Sequence, residues 1–256
     1  MFATVSRYVC VKAGNQPDEC EDAFCIRGVR RGPTLRCAVA DGATESSFSR
    51  AWATRLVHAY ARRPFDDLAD LVKRAGLLGR GWRRVFLHRP LPWYAAEKVR
   101  LGAFSTLLGT ELARPCGDAA KGTWRAVAVG DTCLFHLRGA QLLAVFPPLT
   151  ASDFGHFPTL LSTSEHANVS AWAAVLFTEG EWQVGDTFVL ATDALAAWFA
   201  RIREGGAATW AEFPPLAEHL WPAGGFEDWV FQKRASKELA NDDTTCIVVQ
   251  TQEMDD

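Results

Sequence analysis

Apolar residues recur along this chain in two rhythms, short runs of small and β-branched residues and longer stretches with helical spacing. Residues 35–40, "LRCAVA", read as a buried strand that stops at Asp41-Gly42, and "DGATESS" is a turn carrying helix-start residues. Beyond it Phe48, Trp52, Leu56 and Tyr60 recur at every fourth position with Ala51 and Ala59 beside them, the stripe of a core-packed helix ended by Pro64. A second helix is expected over about residues 65–78, after which the glycines and prolines of "GRGWRRVFLHRPLPW" break the pattern; a third begins near Trp93. "AFSTLLGTEL", "TWRAVAVG", "TCLFHL" and "QLLAVF", separated by Gly130-Asp131 and Arg138-Gly139, read as one antiparallel meander. Residues 147–168 are rich in Pro, Ser, Thr, His and Phe without a period, an irregular excursion of the kind that often carries function. "DTFVLATDALAAWFARI" then repeats the opening theme, a strand to Ala191, Asp193 at its end and a helix beyond. "FEDWVFQKRASKELA" places Glu227 and Asp228 early and Lys233, Arg234 and Lys237 late, the order a helix dipole favours. "NDDTTCIVVQ" leads an acid pair into a last strand. The class these elements predict is α+β, with antiparallel strands in more than one sheet covered by amphipathic helices.

With 256 residues, 48% of them hydrophobic, and no repeat or Pro/Gly/Ser linker, residues 1–256 are expected to form one domain with a large core. A net charge of −3 with both signs mixed throughout gives no continuous basic surface, which argues against nucleic acid as a partner. The seven cysteines, at 10, 20, 25, 37, 116, 133 and 246, have no CxxC spacing and suit a reducing compartment. Cys37, Cys133 and Cys246 sit in apolar runs as small buried hydrophobes. The first residues hold no signal-like apolar stretch, and no segment approaches the roughly 20 apolar residues that span a bilayer. The expectation is a soluble cytoplasmic protein with no membrane partner.

Acids at the edges of apolar runs are the chemistry that stands out: Glu21/Asp22 before "AFCI", Asp41 after "CAVA", Asp193 after "FVLAT", and Asp242/Asp243 before "TTCIVV". Singly, each is a turn residue or a helix cap. If the strand ends converge, the acids meet, and two unit charges about 4 Å apart interact by roughly 4 kcal/mol at an effective dielectric near 20. Such a cluster needs protons or a cation. Carboxylate and carbonyl oxygens without His or Cys suit Mg²⁺, Mn²⁺ or Ca²⁺ rather than zinc.

The ordered series "ECEDAF", "VADGATE", "GAFSTLLGTEL", "AVAVGDTCLFHLRG", "VGDTFVLATDAL" and "NDDTTCIVVQ" resembles the motif series of the metal-dependent protein phosphatases, the protein phosphatase 2C family, in its bacterial form, over residues 20–250. The resemblance implies a four-layer α-β-β-α sandwich of two antiparallel sheets flanked by helices, with two Mn²⁺ or Mg²⁺ ions at one edge. It implies hydrolysis of phosphoserine and phosphothreonine on a protein substrate, opposite a cognate Ser/Thr kinase. Carried over by motif, Asp41 bridges both ions and the Gly42 carbonyl joins the second. Asp193 and Asp242 hold the first, with Asp243 the fallback for Asp242. Glu21 or Asp22 serves the second, and Asp131 stands where some bacterial members hold a weaker third ion. Asp41, Asp193 and Asp242 would carry the catalysis: two ions lower the pKa of a shared water from 15.7 toward about 7, so no nucleophilic side chain is required.

Several positions depart from the family pattern. Pro17 stands where members often carry an Arg that grips substrate phosphate, and Lys12, Arg27 and Arg50 are the candidates to replace it. Ala43 replaces a His thought to act as an acid, which leaves leaving-group protonation to solvent at the ions. "SDGL" has become "TDAL", and the usual Asp-Asn is Asp242-Asp243. Pro17 and Ala43 together raise the alternative of a catalytically weak module that binds a phosphoprotein or signalling partner without turnover. His58, His88, His136, His156, His166 and His219 have no spacing of a metal triad, although His156 and His166 lie in the irregular segment, the counterpart of the family's variable flap. The ten tryptophans read as core or cover.

Overall fold

The computed structural model describes residues 2–28, 32–114, 121–155, 158–205, 221–222 and 224–253, the side chains of residues 94 and 95 excepted. Cys116, His156 and His219 lie outside the described residues. The chain runs through β1 (Ala3–Cys10), β2 (Ala23–Arg27) and β3 (Thr34–Ala40) into α1 (Ser49–Arg62), α2 (Leu68–Phe86) and α3 (Trp93–Leu101). It continues through β4 (Phe104–Ser105), β5 (Leu107–Ala113), β6 (Gly122–Val129), β7 (Cys133–Arg138), β8 (Gln141–Phe146) and β9 (Leu161–Ser162). After α4 (Val169–Ala173) come β10 (Leu176–Trp182), β11 (Asp186–Ala191), α5 (Asp193–Glu204), α6 (Gly225–Ala235) and β12 (Thr244–Thr251).

Two five-stranded antiparallel sheets carry the fold, one ordered β1-β12-β11-β7-β8 and the other β10-β6-β5-β3-β2. Strand alternation divides their side chains between cores. Leu35, Cys37 and Val39 of β3 meet Leu134, Phe188, Ile247 and Val249 of the facing sheet in a central core. Ala38 and Ala40, from the opposite face of β3, pack under Trp52, Leu56 and Tyr60 of α1 and Trp82 of α2. Val189 and Val248 pack under Trp198 and Phe199 of α5 and Phe226 of α6 on the other outer face. The result is the four-layer α-β-β-α sandwich, and Trp52, Leu56 and Tyr60 of α1 form the buried stripe their spacing predicts, with Phe48, just before the helix, partly buried at its margin.

Two sequence expectations are corrected. The four strand-like segments after residue 103 are not one meander. β5 and β6 pair in one sheet and β7 and β8 in the other, and the chain crosses between sheets at Gly130-Asp131. Gly130 makes that crossing with φ of 95°, and a Cβ there would lie 2.7 Å from Thr106 Cγ2, so only glycine fits. Secondly, the glycines at 79 and 81 do not end the second helix. α2 runs on to Phe86 because Trp82 and Phe86 continue its buried face into the α1 core. Its start is set by Asp67, whose side chain accepts from Asp70 N at 2.8 Å.

Among the described residues no helix is long and apolar enough to cross a membrane. Cys37, Cys133 and Cys246 are buried, and the six described cysteines are free thiols.

Candidate metal centre at the sheet edge

Strand register draws the acids together. Ala23 pairs with Ala40, so one step further along β2 and β3 stand Asp22 and Asp41. Ala191 pairs with Cys133, and two steps beyond that pair stand Asp193 and Asp131. Cys10 pairs with Thr244, and two steps beyond stand Lys12 and Asp242, whose side chains form an ion pair at 3.5 Å. The three extensions emerge at the same end of the sandwich. There Asp41, Asp131, Asp193 and Asp242 line one cleft of about 480 Å³ together with Gly42, Ala43 and the loop to Ser46.

The backbone around Asp41 is held tightly. Asp41 N donates to Thr106 Oγ1 at 2.8 Å, and its carbonyl accepts from Thr106 N and Ser105 Oγ, both at 2.8 Å. Ala43 N donates to Phe104 O at 3.0 Å, so Gly42 occupies the non-hydrogen-bonded position opposite Ser105 and its carbonyl stands outside that ladder. Glycine is required at 42 by close approach: a Cβ would lie 2.9 Å from Glu21 O and from Ser49 Cβ. Thr192 ties a second corner. Its N donates to Thr245 O at 3.0 Å, its Oγ1 accepts from Thr245 N at 2.9 Å, and the hydroxyl donates to Asp22 Oδ2 at 3.1 Å.

The electrostatics follow from this crowding. Burial first, then the charges of Asp22, Asp193, Asp131 and Asp242, push the Asp41 carboxyl well above its ordinary range. Burial, with the charges of Asp193 and Asp243, does the same to Asp22. Burial lifts Asp131 to about 6. Asp193 is pushed up to about 7, by burial and then by Asp131 and Asp242, against the opposing pull of the Ala194 N–H and Lys12. Five acids from distant parts of the chain therefore act on one another here.

The paired candidates separate. Asp22 is 5% exposed and acts on Asp41, whereas Glu21 turns its Oε1 to Ser49 Oγ at 2.6 Å and lines a different groove with Arg50. Asp242 faces the cleft. Asp243 instead accepts Lys12 N at 2.8 Å and Glu21 N at 2.7 Å, stitching the end of β1 to the start of β2. The basic candidates separate as well. Arg50 Nη1 is engaged with the carbonyls of Pro17 and Asp18, and Arg27 lies at the far end of β2, paired across the ladder with Arg36. Lys12 is the one beside the acids. His136 is a core residue, 2.9 Å from Asp186 Oδ2 through Nε2 and stacked on Phe188.

Two contributors were not legible in the sequence. Arg234, whose late place in α6 suggested only a dipole effect, donates to Val11 O at 2.8 Å, Thr244 Oγ1 at 3.1 Å and Asp242 O, clamping the loop that presents Lys12 and Asp242. Lys98 of α3 lines the cleft. Neither lies within or beside an acid motif, so local pattern carried no signal for them.

Two buried carboxylate oxygens, Asp22 Oδ1 and Asp131 Oδ1, make no hydrogen bond of ordinary geometry, although the Thr245 hydroxyl stands near enough to Asp22 to offset part of its pKa rise. Such an oxygen is costly unless something positive meets it. An all-oxygen donor set with orphaned, partly protonated carboxyls fits a hard divalent cation. Among the described residues no three His, Cys, Asp or Glu side chains already stand at metal-binding spacing, so the fit is one of chemistry and placement.

No family model matches the chain, and no curated protein does. Solved structures do. The Mycobacterium tuberculosis serine/threonine phosphatase PstP/Ppp is 15% identical, with 99% of this chain and 100% of that one covered and a TM-score of 0.60. The catalytic domain of PstP in complex with two manganese ions is 16% identical over 98% and 99%, with a TM-score of 0.59. RsbX in complex with magnesium is 15% identical over 98% and 96%, with a TM-score of 0.53. Across its described residues, this chain has the fold of the bacterial metal-dependent phosphatases that its motif series resembles.

Proposed function

We propose that the chain is a protein phosphatase 2C-type enzyme that hydrolyses phosphoserine and phosphothreonine in a protein substrate with the help of two Mn²⁺ or Mg²⁺ ions. The observation that carries this reading is the convergence of Asp41, Asp131, Asp193 and Asp242 on one cleft, with Asp22 buried beside Asp41. Manganese and magnesium in the complexes of PstP and RsbX, which share the fold, support the choice of cation. Asp41 and the Gly42 carbonyl, with Asp22, Asp193 and Asp242, would hold the pair, and Asp131 a weaker third ion; Glu21 is engaged by the Ser49 hydroxyl and Asp243 by the Lys12 and Glu21 N–H groups. Bound there, divalent ions supply Lewis acidity toward water and toward the phosphoryl oxygens.

The chain's own residues set the rest. The Thr106, Ser105 and Thr192 hydrogen bonds fix the backbone behind the acids, so the donor set is preorganised. Lys12, held by Asp243 through its backbone and by Asp242 through its side chain, stands beside the acids and is the cation we assign to the substrate phosphate. As a single ammonium it grips less rigidly than a guanidinium fork. Ala43 lines the cleft without a titratable group and gives the leaving group no proton.

Hydrolysis of p-nitrophenyl phosphate and of a phosphothreonine peptide, with Mn²⁺ and with chelator, tests the reading. Activity should require the metal, and Asp41→Asn should lower kcat by more than the roughly 10- to 100-fold typical of residues that only support a metal ligand. Activity indifferent to chelator and to the substitution would refute it. Ala43 favours a second reading, a weak relative that captures a phosphoprotein within a signalling system. Calorimetric Mn²⁺ binding without turnover on a broad phosphopeptide panel would select that one.

A further inference from the structure

One wall of the cleft is apolar, built from Leu101 at the end of α3, Phe104, Pro158 and Leu160, while the loop after Gly42 adds Thr44, Glu45 and Ser46 to the lining. Leu101 is 67% exposed although it lines the cleft, a large aliphatic side chain offered at the rim. Beside it, one turn earlier on α3, Lys98 is the one basic side chain among the described residues that line the cleft. This rim is fixed. Val99 is fully buried in the α1–α2 core, which sets how α3 is rotated. Gly102 ends the helix, its N–H donating to Lys98 O and Val99 O at 3.2 Å. A Cβ at Gly102 would lie 2.8 Å from Thr163 Oγ1, and that hydroxyl accepts from Ala103 N at 3.0 Å, so the turn is pinned to the end of β9.

A phosphoamino acid bound at the acids would have its neighbouring residues in the same cleft as this wall. We propose that Leu101 and Lys98 are specificity-determining residues: the cleft selects phosphopeptides with a large apolar side chain next to the phosphorylated residue and an acidic side chain within reach of Lys98. The inference rests on the phosphatase reading above. An apolar substrate side chain removes the Leu101 surface from water, and an acidic one complements the lone ammonium on that wall.

The test uses two phosphothreonine peptides that differ only in Leu or Ser beside the phosphothreonine, each made with and without a nearby Glu. The wild type should hydrolyse the Leu peptide with a kcat/KM roughly 10-fold above the Ser peptide, the scale of a contact worth one or two methylenes. Leu101→Ser should collapse that ratio toward one. Lys98→Gln should leave it in place but remove a Glu preference of about 2- to 5-fold that weakens with salt. Equal loss on all peptides in either variant, or no preference in the wild type, would overturn the proposal. If no peptide is hydrolysed, the phosphatase reading fails separately. Fluorescence anisotropy with phosphonate versions of the same peptides then decides: a Leu preference abolished by Leu101→Ser upholds the inference, and its absence, or absence of binding, sinks it.

Discussion

Asp22 turns one carboxylate oxygen to the Thr192 hydroxyl and leaves the other, Oδ1, buried without a hydrogen bond of ordinary geometry beside two further acids. Folding and cation binding therefore pull on it in opposite directions. Asp22→Asn should raise the melting temperature of metal-free protein by roughly 2–6 °C, the equivalent of relieving about 1–2 kcal/mol in a chain of this size, and should shrink the rise that Mn²⁺ produces. A melting temperature lowered by the substitution, with the Mn²⁺ response intact, would make Asp22 structural. The sequence marked the acids but not which of each adjacent pair faces the cleft. Neighbouring residues in extended chain point to opposite sides, and the side is set by pairing with a distant strand. The registers Ala23–Ala40 and Cys10–Thr244 settle what local composition left open.

At the scale of elements, α2 shows why glycine is ambiguous evidence. A Cβ on Gly79 would lie 2.6 Å from Thr163 O, a backbone atom, so this glycine is there for close packing. At Gly81 the nearest atom is Arg55 Nη1 at 3.3 Å, the end of a flexible side chain. Gly79→Ala should then destabilise the fold by about 1–3 kcal/mol through overpacking. Gly81→Ala should stabilise it by up to about 1 kcal/mol, the ordinary helical gain; urea midpoints of the two variants moving in opposite directions would bear this out. The pattern also named no strand over residues 3–10 or 176–182. β1 and β10 are edge strands whose half-exposed positions carry Ser, Arg, Thr, Glu and Gly, so alternation is too weak to read. The central strands, buried on both faces, were legible for the converse reason.

For the whole molecule, the sandwich is what makes the acids meet: strands far apart in sequence end at one edge, where burial and neighbouring carboxylates raise the carboxyls of Asp22, Asp41 and Asp193 and burial raises that of Asp131. The ordered motifs made this architecture legible, whereas the crossing between sheets at Gly130 depends on which sheet each hairpin joins, a long-range choice no local pattern records. The pH dependence follows with a definite sign. A carboxyl whose folded pKa is raised contributes stability that is complete below its unfolded value and is lost as pH rises through the folded one, here about 6 for Asp131 and about 7 for Asp193. Cations compete with those protons, so metal binding should strengthen over the same range. The most direct measurement is thermal denaturation between pH 5 and pH 8, with and without Mn²⁺, of the wild type and of Asp41→Asn. The account predicts that metal-free wild type loses stability as pH rises, that Mn²⁺ restores it most at pH 8, and that Asp41→Asn, in which Asp131 and Asp193 still titrate, keeps that loss but responds weakly to Mn²⁺. A melting temperature indifferent to Mn²⁺ at pH 8, or an equal Mn²⁺ response in the variant, would contradict it.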